Sequence, residues 1–265
     1  MKHILLLAVL FLGCIKLFAQ SQTFTITVTD PTNNDTVLTD LLGVISGPLP
    51  PPSTTLPDIT PQLKDIGVTS IRNNDYRDDK LDMELMFKCP SPNPDTVPCW
   101  NCDPNDMSNY HFEGSDTLFK SILDGGFSIF FRLGGENQSA LPNQIHVFHG
   151  PQDTIAENNL IQAFVHVVEH YDSFEGNSNL LDYLDIWTEW PNPEFWERSM
   201  NEFIWFFTKA LDTLKTHFPD KKVGGPGFLV PTEKIIDGET SNKAVDLLYS
   251  LYSHNLKPDF ISWHL

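Results

Sequence analysis

From residue 41 onward, short apolar runs alternate with longer segments whose apolar positions recur at helical spacing. The runs at 42–45, 69–72, 127–133, 184–187, 222–224 and 259–263 read as strands, and 57–66, 118–123, 160–171, 194–218 and 241–254 read as helices. Strands alternating with helices imply parallel pairing through right-handed crossovers, which builds either a doubly wound sheet or a (β/α)8 barrel. After the first strand, Gly43-Val44-Ile45-Ser46-Gly47 lacks the glycine spacing of a dinucleotide fingerprint and has no helix directly behind it. Polar and aromatic residues instead collect after the strands, at 72–75, 132–136, 188–190, 224–227 and 262–264, as a barrel with its site at the C-terminal face requires. The expected fold is an incomplete (β/α)8 TIM barrel of about six βα units, over residues 41–265.

Two stretches depart from this alternation. Residues 23–29 alternate Phe24, Ile26 and Val28 with polar positions, which predicts a small N-terminal β-element within 21–40. Residues 73–116 form a polar insertion rich in proline and cysteine, of a length usually found in lids and rims. Ahead of both, Lys2, an apolar run over 4–15 and a small-residue site near Ala19 read as a secretory signal peptide over 1–20. Cys14 faintly resembles a lipoprotein cysteine, but the apolar run continues past it. The rest of the sequence has no apolar run long enough for a membrane span, so a secreted or periplasmic location is expected.

Composition sharpens this picture. The 265 residues are 40% hydrophobic and 12% aromatic, ample for a sizeable core. A net charge of −18 repels nucleic acid and anionic membranes and suits neutral ligands, and loss of Lys2 and Lys16 with the leader deepens it. Beyond the leader stand Cys89, Cys99 and Cys102, for which an oxidising compartment predicts one disulfide with one thiol left over. Cys99 and Cys102 also have the spacing of a zinc or redox pair, with His111 nearby, although their proline-rich loop favours a structural disulfide.

The candidate chemistry centres on Leu184-Asp185-Ile186-Trp187-Thr188-Glu189-Trp190, after which Pro191 and Pro193 forbid continuation of the strand. Glu189 is thereby placed at a strand's C-terminal end between two tryptophans. Partial desolvation of a carboxyl group favours the neutral acid that a proton donor must be. Trp187, inside the predicted strand, serves equally well as core packing.

Four strand ends resemble those of the retaining glycoside hydrolases of clan A, most closely family 39, which contains β-xylosidases and α-L-iduronidases. They are Ile71-Arg72; Ile186-Trp187-Thr188-Glu189 with the following Trp190-Pro191-Asn192-Pro193-Glu194-Phe195-Trp196; Val223-Gly224-Gly225-Pro226-Gly227; and Phe260-Ile261-Ser262-Trp263-His264. The resemblance implies a glycosidase acting on an oligosaccharide or polysaccharide without a cofactor. It makes Glu189 the general acid/base and places Arg72, Thr188, Trp190, Trp263 and His264 around the sugar. Thr188 departs from the family's asparagine, which contacts the 2-hydroxyl, and Asn73-Asn74 stand where a histidine is usual. The family's nucleophile comes from a seventh strand, so residues 21–265 are expected to be a fragment without hydrolase activity of its own.

Two rival readings remain. One is a noncatalytic carbohydrate-binding barrel, which Thr188 and the missing nucleophile allow. The other is a zinc peptidase through His166-Val167-Val168-Glu169-His170, whose two histidines share one helical face with Glu169 as base. Phe164, Val165, Val168 and Tyr171 make that helix read as the packed outer layer of a barrel.

Overall fold

The computed structural model describes residues 43–45, 58–73, 81–89, 100–134, 150–177, 180–193, 195–229, 233–236 and 239–264. The predicted signal peptide and the N-terminal β-element lie outside the described residues, as do Cys99 and Asn74.

Five parallel strands form the central sheet: β1 (Gly43–Ile45), β2 (Ser70–Arg72), β3 (Ser128–Leu133), β4 (Leu181–Ile186) and β5 (Lys222–Gly224). Their spatial order is their order in the sequence. A doubly wound sheet would reverse direction at a switch point, whereas monotonic order is what a closing barrel needs. Phe260 continues the series by a parallel bridge to Gly224, with the Asp259 amide donating to the Val223 carbonyl. The fold is therefore an incomplete (β/α)8 barrel.

The last predicted strand, 259–263, appears in two pieces. Its first part pairs with β5, and its end, Trp263–His264, pairs in parallel with Phe228–Leu229. In chain order these end pieces are β9 (Trp263–His264) and β6 (Phe228–Leu229), and between them β7 (Glu233–Ile236) and β8 (Glu239–Asn242) pair antiparallel. Gly224 makes the first pairing possible, because a Cβ there would lie 2.2 Å from the Phe260 carbonyl oxygen.

The α-helices among the described residues are α1 (Thr60–Asp65), α2 (Met83–Met86), α3 (Glu113–Asp124), α4 (Thr154–Asp172), α5 (Met200–His217) and α6 (Lys243–Ser253). In α4, Leu160, Ala163, Phe164, Val167, Val168 and Tyr171 recur at helical spacing and all lie at 0% exposure. In α5 the stripe is Phe203, Phe206, Phe207, Ala210, Leu211 and Leu214, and the two helices pack against each other. The long helix predicted from residue 194 begins only at Met200. A capping box at Ser199 and Glu202 sets the start.

Part of the predicted insertion is ordered by a Cys89–Cys102 disulfide and a bridge between Phe87 and Tyr110. Asn159 of α4 donates to the carbonyls of Trp100 and Cys102 at 3.1 Å each, which fastens this rim to the helical layer. Cys102 is thereby committed to the disulfide, and the zinc or redox alternative for it falls away. Toward the barrel interior, Phe130 stacks on Tyr183 and meets Phe260 edge-on, both at 5.1 Å, so strands three, four and six share one aromatic layer.

Candidate active site at the strand C-termini

The C-terminal ends of β2 and β4, the loop after β5 and the end of the sixth strand converge on one hydrogen-bonded chain of side chains. It is anchored on Asp185, which is fully buried in β4. Arg72 donates to Asp185 Oδ2 from Nη2 at 2.7 Å and from Nε at 3.3 Å. Ser262 Oγ donates to Asp185 Oδ1 at 2.8 Å, and the Gly227 amide donates to Ser262 Oγ at 2.7 Å. Burying a carboxylate is tolerable only where its oxygens are paired in this way.

Above this base lies His264. Its Nε2 is 3.2 Å from Arg72 Nη1 and its Nδ1 is 2.9 Å from Glu189 Oε1. The second oxygen of Glu189 has Asn192 Nδ2 at 3.4 Å. Exposure rises along the chain, from 0% for the Asp185 side chain through 13% for Arg72 and 19% for His264 to 29% for Glu189. The accessible end is the carboxyl group best suited to meet a ligand.

Backbone geometry turns Glu189 outward. Trp187 and Glu189 adopt left-handed φ values of 75° and 44°, uncommon for residues bearing side chains and found most often where a site over-determines them. The Trp187 amide donates to the Leu133 carbonyl, while the Asn192 amide donates to the Glu189 carbonyl, both at 2.7 Å. The Leu229 amide donates to the Trp190 carbonyl at 3.1 Å, so the loop is held at several points. The Trp190–Pro191 and Gly225–Pro226 peptide bonds are cis.

The predicted site residues divide into two groups. Glu189, Arg72 and His264 come together, and Trp263, 58% exposed, stands beside His264 in β9. Thr188 and Trp190 are each only 2% exposed. Trp190 stacks on Phe203 at 4.4 Å and packs near Phe228, with the Lys243 ammonium over its ring, so it occupies a core position and offers no open face for a sugar. Trp187 is likewise core, packed edge-on to Trp196 and Phe206. The surroundings of Glu189 are thus the polar groups of His264 and Asn192 rather than two indole walls.

Sequence reading missed Asp185, Ser262, Gly227 and Asn192. Asp185 carried a usable signal, as a carboxylate between Leu184 and Ile186 in the apolar run 184–187. Asn73 is not a ligand-binding stand-in for a histidine. It is 1% exposed and braces β3, donating to the Leu81 and Arg132 carbonyls and accepting from the Arg132 amide at 2.5 Å.

The zinc-motif histidines are separately engaged. His166 Nδ1 pairs with Glu169 at 3.1 Å, while His170 Nε2 contacts Asp116 at 2.8 Å and its ring stacks on Phe112 at 3.7 Å. These contacts explain the residues as parts of α4 packing. Among the described residues no group of three or more His, Cys, Asp or Glu side chains is placed to hold a metal ion. No described helix is long and apolar enough to cross a membrane. A groove of about 660 Å³ lies on the outer helices α5 and α6, bordered by Trp205, Lys209 and His254, and is separate from the strand-end network.

No family model matches the sequence, and no curated protein matches it. Similar folds are found among solved structures. A glucosidase from Croceicoccus marinus aligns with 85% of this chain at 22% identity and a TM-score of 0.61, the alignment covering 44% of that enzyme. The GH39 enzyme from Xanthomonas axonopodis pv. citri aligns with 84% at 19% identity and a TM-score of 0.54, covering 40% of its own chain. Xylanase10C from Cellvibrio japonicus aligns with 91% at 12% identity and a TM-score of 0.51, covering 47%. The chain spans less than half the length of each of these enzymes, and over that span it shares their barrel fold.

Proposed function

We propose that the intact protein is a secreted glycoside hydrolase of clan A, most like family 39, that cleaves O-glycosidic bonds of an oligosaccharide or polysaccharide with retention. The observation that carries this reading is Glu189, which combines a position at the C-terminal end of β4, 29% side-chain exposure and a direct bond to His264. In the first step the protonated carboxyl of Glu189 gives its proton to the glycosidic oxygen. The C1–O bond breaks while a second carboxylate forms a bond to C1. In the second step the Glu189 carboxylate takes a proton from water, the water oxygen attacks C1 and the second carboxylate leaves. That nucleophile is not Asp185, which is fully buried with both oxygens occupied by Arg72 and Ser262. Trp263, with its open ring, is the stacking surface for a sugar.

The test is a panel of aryl glycosides and xylo-oligosaccharides offered to the full-length protein and to its Glu189→Gln variant. The expected outcome is turnover by the wild type and a loss of at least about a hundredfold in the variant for substrates with poor leaving groups. Turnover that survives Glu189→Gln would refute the assignment. One observation favours a second reading, a noncatalytic carbohydrate-binding barrel: Thr188 is 2% exposed, so it contributes little to a contact with the sugar's 2-hydroxyl. Sugar binding unaffected by Glu189→Gln, with no hydrolysis by either form, would establish that alternative.

A further inference from the structure

We infer that Asp185, acting through Arg72 and His264, determines which oxygen of Glu189 carries the transferable proton. The inference rests on Glu189 as the general acid, but the hydrogen-bond directions beneath it follow from the geometry alone. A guanidinium has only donors. Arg72 Nη1, 3.2 Å from His264 Nε2, must therefore be the donor in that contact. An imidazole nitrogen that accepts has no hydrogen, so the neutral ring of His264 carries its hydrogen on Nδ1. Nδ1 then donates to Glu189 Oε1 at 2.9 Å.

The opposite end of the chain is fixed in the same way. The Gly227 amide can only donate to Ser262 Oγ, which leaves the Ser262 hydroxyl hydrogen for Asp185 Oδ1. With Oδ1 so engaged, Oδ2 holds Arg72 through Nη2 and Nε, and Nη1 is left facing the histidine. Each member has one role compatible with both neighbours.

The consequence falls on the acid. A protonated carboxyl has one oxygen with the hydrogen and one carbonyl oxygen, and the carbonyl oxygen is the better acceptor. Oε1, which accepts from His264, is thus the carbonyl oxygen, and the proton resides on Oε2. Among the described residues Oε2 meets Asn192 Nδ2 at a long 3.4 Å, a contact that leaves its proton able to move to a glycosidic oxygen. Asp185 and Arg72 are positioning residues here: neither touches the reacting atoms.

The test is nitrogen NMR of the ¹⁵N-histidine-labelled full-length protein, beside kinetics of Asp185→Asn, which keeps an acceptor for Ser262. In the wild type, the expected His264 spectrum shows a protonated Nδ1 and an unprotonated Nε2, and Asp185→Asn replaces it with a mixture of tautomers. Asp185→Asn should lower kcat/KM, which reports the first step, by at least about tenfold for glycosides with poor leaving groups and change it far less for activated aryl glycosides, because only the former need the proton in that step. A wild-type His264 protonated on Nε2 overturns the inference, and so does an equal loss of kcat/KM on both substrate classes. The wild-type spectrum decides the tautomer even if Asp185→Asn does not fold. Absence of any wild-type turnover beside an Nδ1-protonated His264 would instead refute the hydrolase reading while leaving the hydrogen-bond chain intact.

Discussion

Gly225 shows how closely the residues of the site are fitted. Its φ is +124°, and a Cβ there would lie 2.5 Å from the Ile186 carbonyl oxygen and 2.8 Å from Asp185 Oδ1. Gly225→Ala therefore forces either the end of β4 or the buried carboxylate to move. The expected loss is about 2 kcal/mol or more in chemical denaturation, in addition to weakened hold on Arg72. At this scale the sequence is legible where chemistry coincides with a strand end: Arg72, Glu189 and His264 all follow apolar runs and all meet in space. The signal at Asp185 went unused because β4 carries a second aspartate, Asp182, that is exposed, and only the bonds of Asp185 to Arg72 and Ser262 show which of the two faces the interior. Trp190 failed for the complementary reason. An indole beside a carboxyl at a strand end fits a sugar platform chemically, and only the stack on Phe203 reveals it as packing.

At the scale of elements, the start of α5 depends on a reciprocal cap. Ser199 Oγ and the Ser199 amide both donate to Glu202 Oε2, at 2.6 and 2.9 Å, and the Glu202 amide donates to Ser199 Oγ at 3.4 Å. The Ser199 hydroxyl first, and Arg198 second, pull the Glu202 carboxyl down from its ordinary 4.5 to about 2. A carboxyl depressed on folding stabilises fully above its unfolded value and loses that contribution as pH falls toward its folded one. Ser199→Ala is accordingly expected to lower Tm by several degrees at pH 6, with the gap from wild type narrowing between pH 4.5 and about 2, as scanning calorimetry would show. Helix cores were readable from their apolar stripes, whereas their starts were not. The Ser-x-x-Glu signature that marks the true beginning of α5 was available but is short enough to pass unnoticed.

For the whole molecule, parallel pairing followed from the alternation of strand and helix, because parallel neighbours must be joined by crossovers, and the barrel order followed from the missing dinucleotide fingerprint and the polar residues after each strand. The split sixth strand and the β7–β8 pair did not follow, since two-residue pairings and a hairpin between them leave almost no periodicity to read. The rim is secured by a covalent link whose partners, Cys89 and Cys102, lie 13 residues apart. Replacing both by serine should lower unfolding free energy by about 3 kcal/mol, measured by urea titration, through the longer reach of the unfolded chain.

The distribution of the six tryptophans offers an optical test of the proposed sugar binding. Trp100, Trp187, Trp190 and Trp196 are at most 4% exposed and will emit as shielded fluorophores. Trp263, at 58%, lies beside His264, while Trp205, at 40%, borders the groove on the outer helices. Acrylamide will quench the two open rings first. A sugar that covers Trp263 will remove one of these two quenchable populations and leave Trp205 as an internal reference, so occupancy can be followed in the unlabelled protein without any turnover.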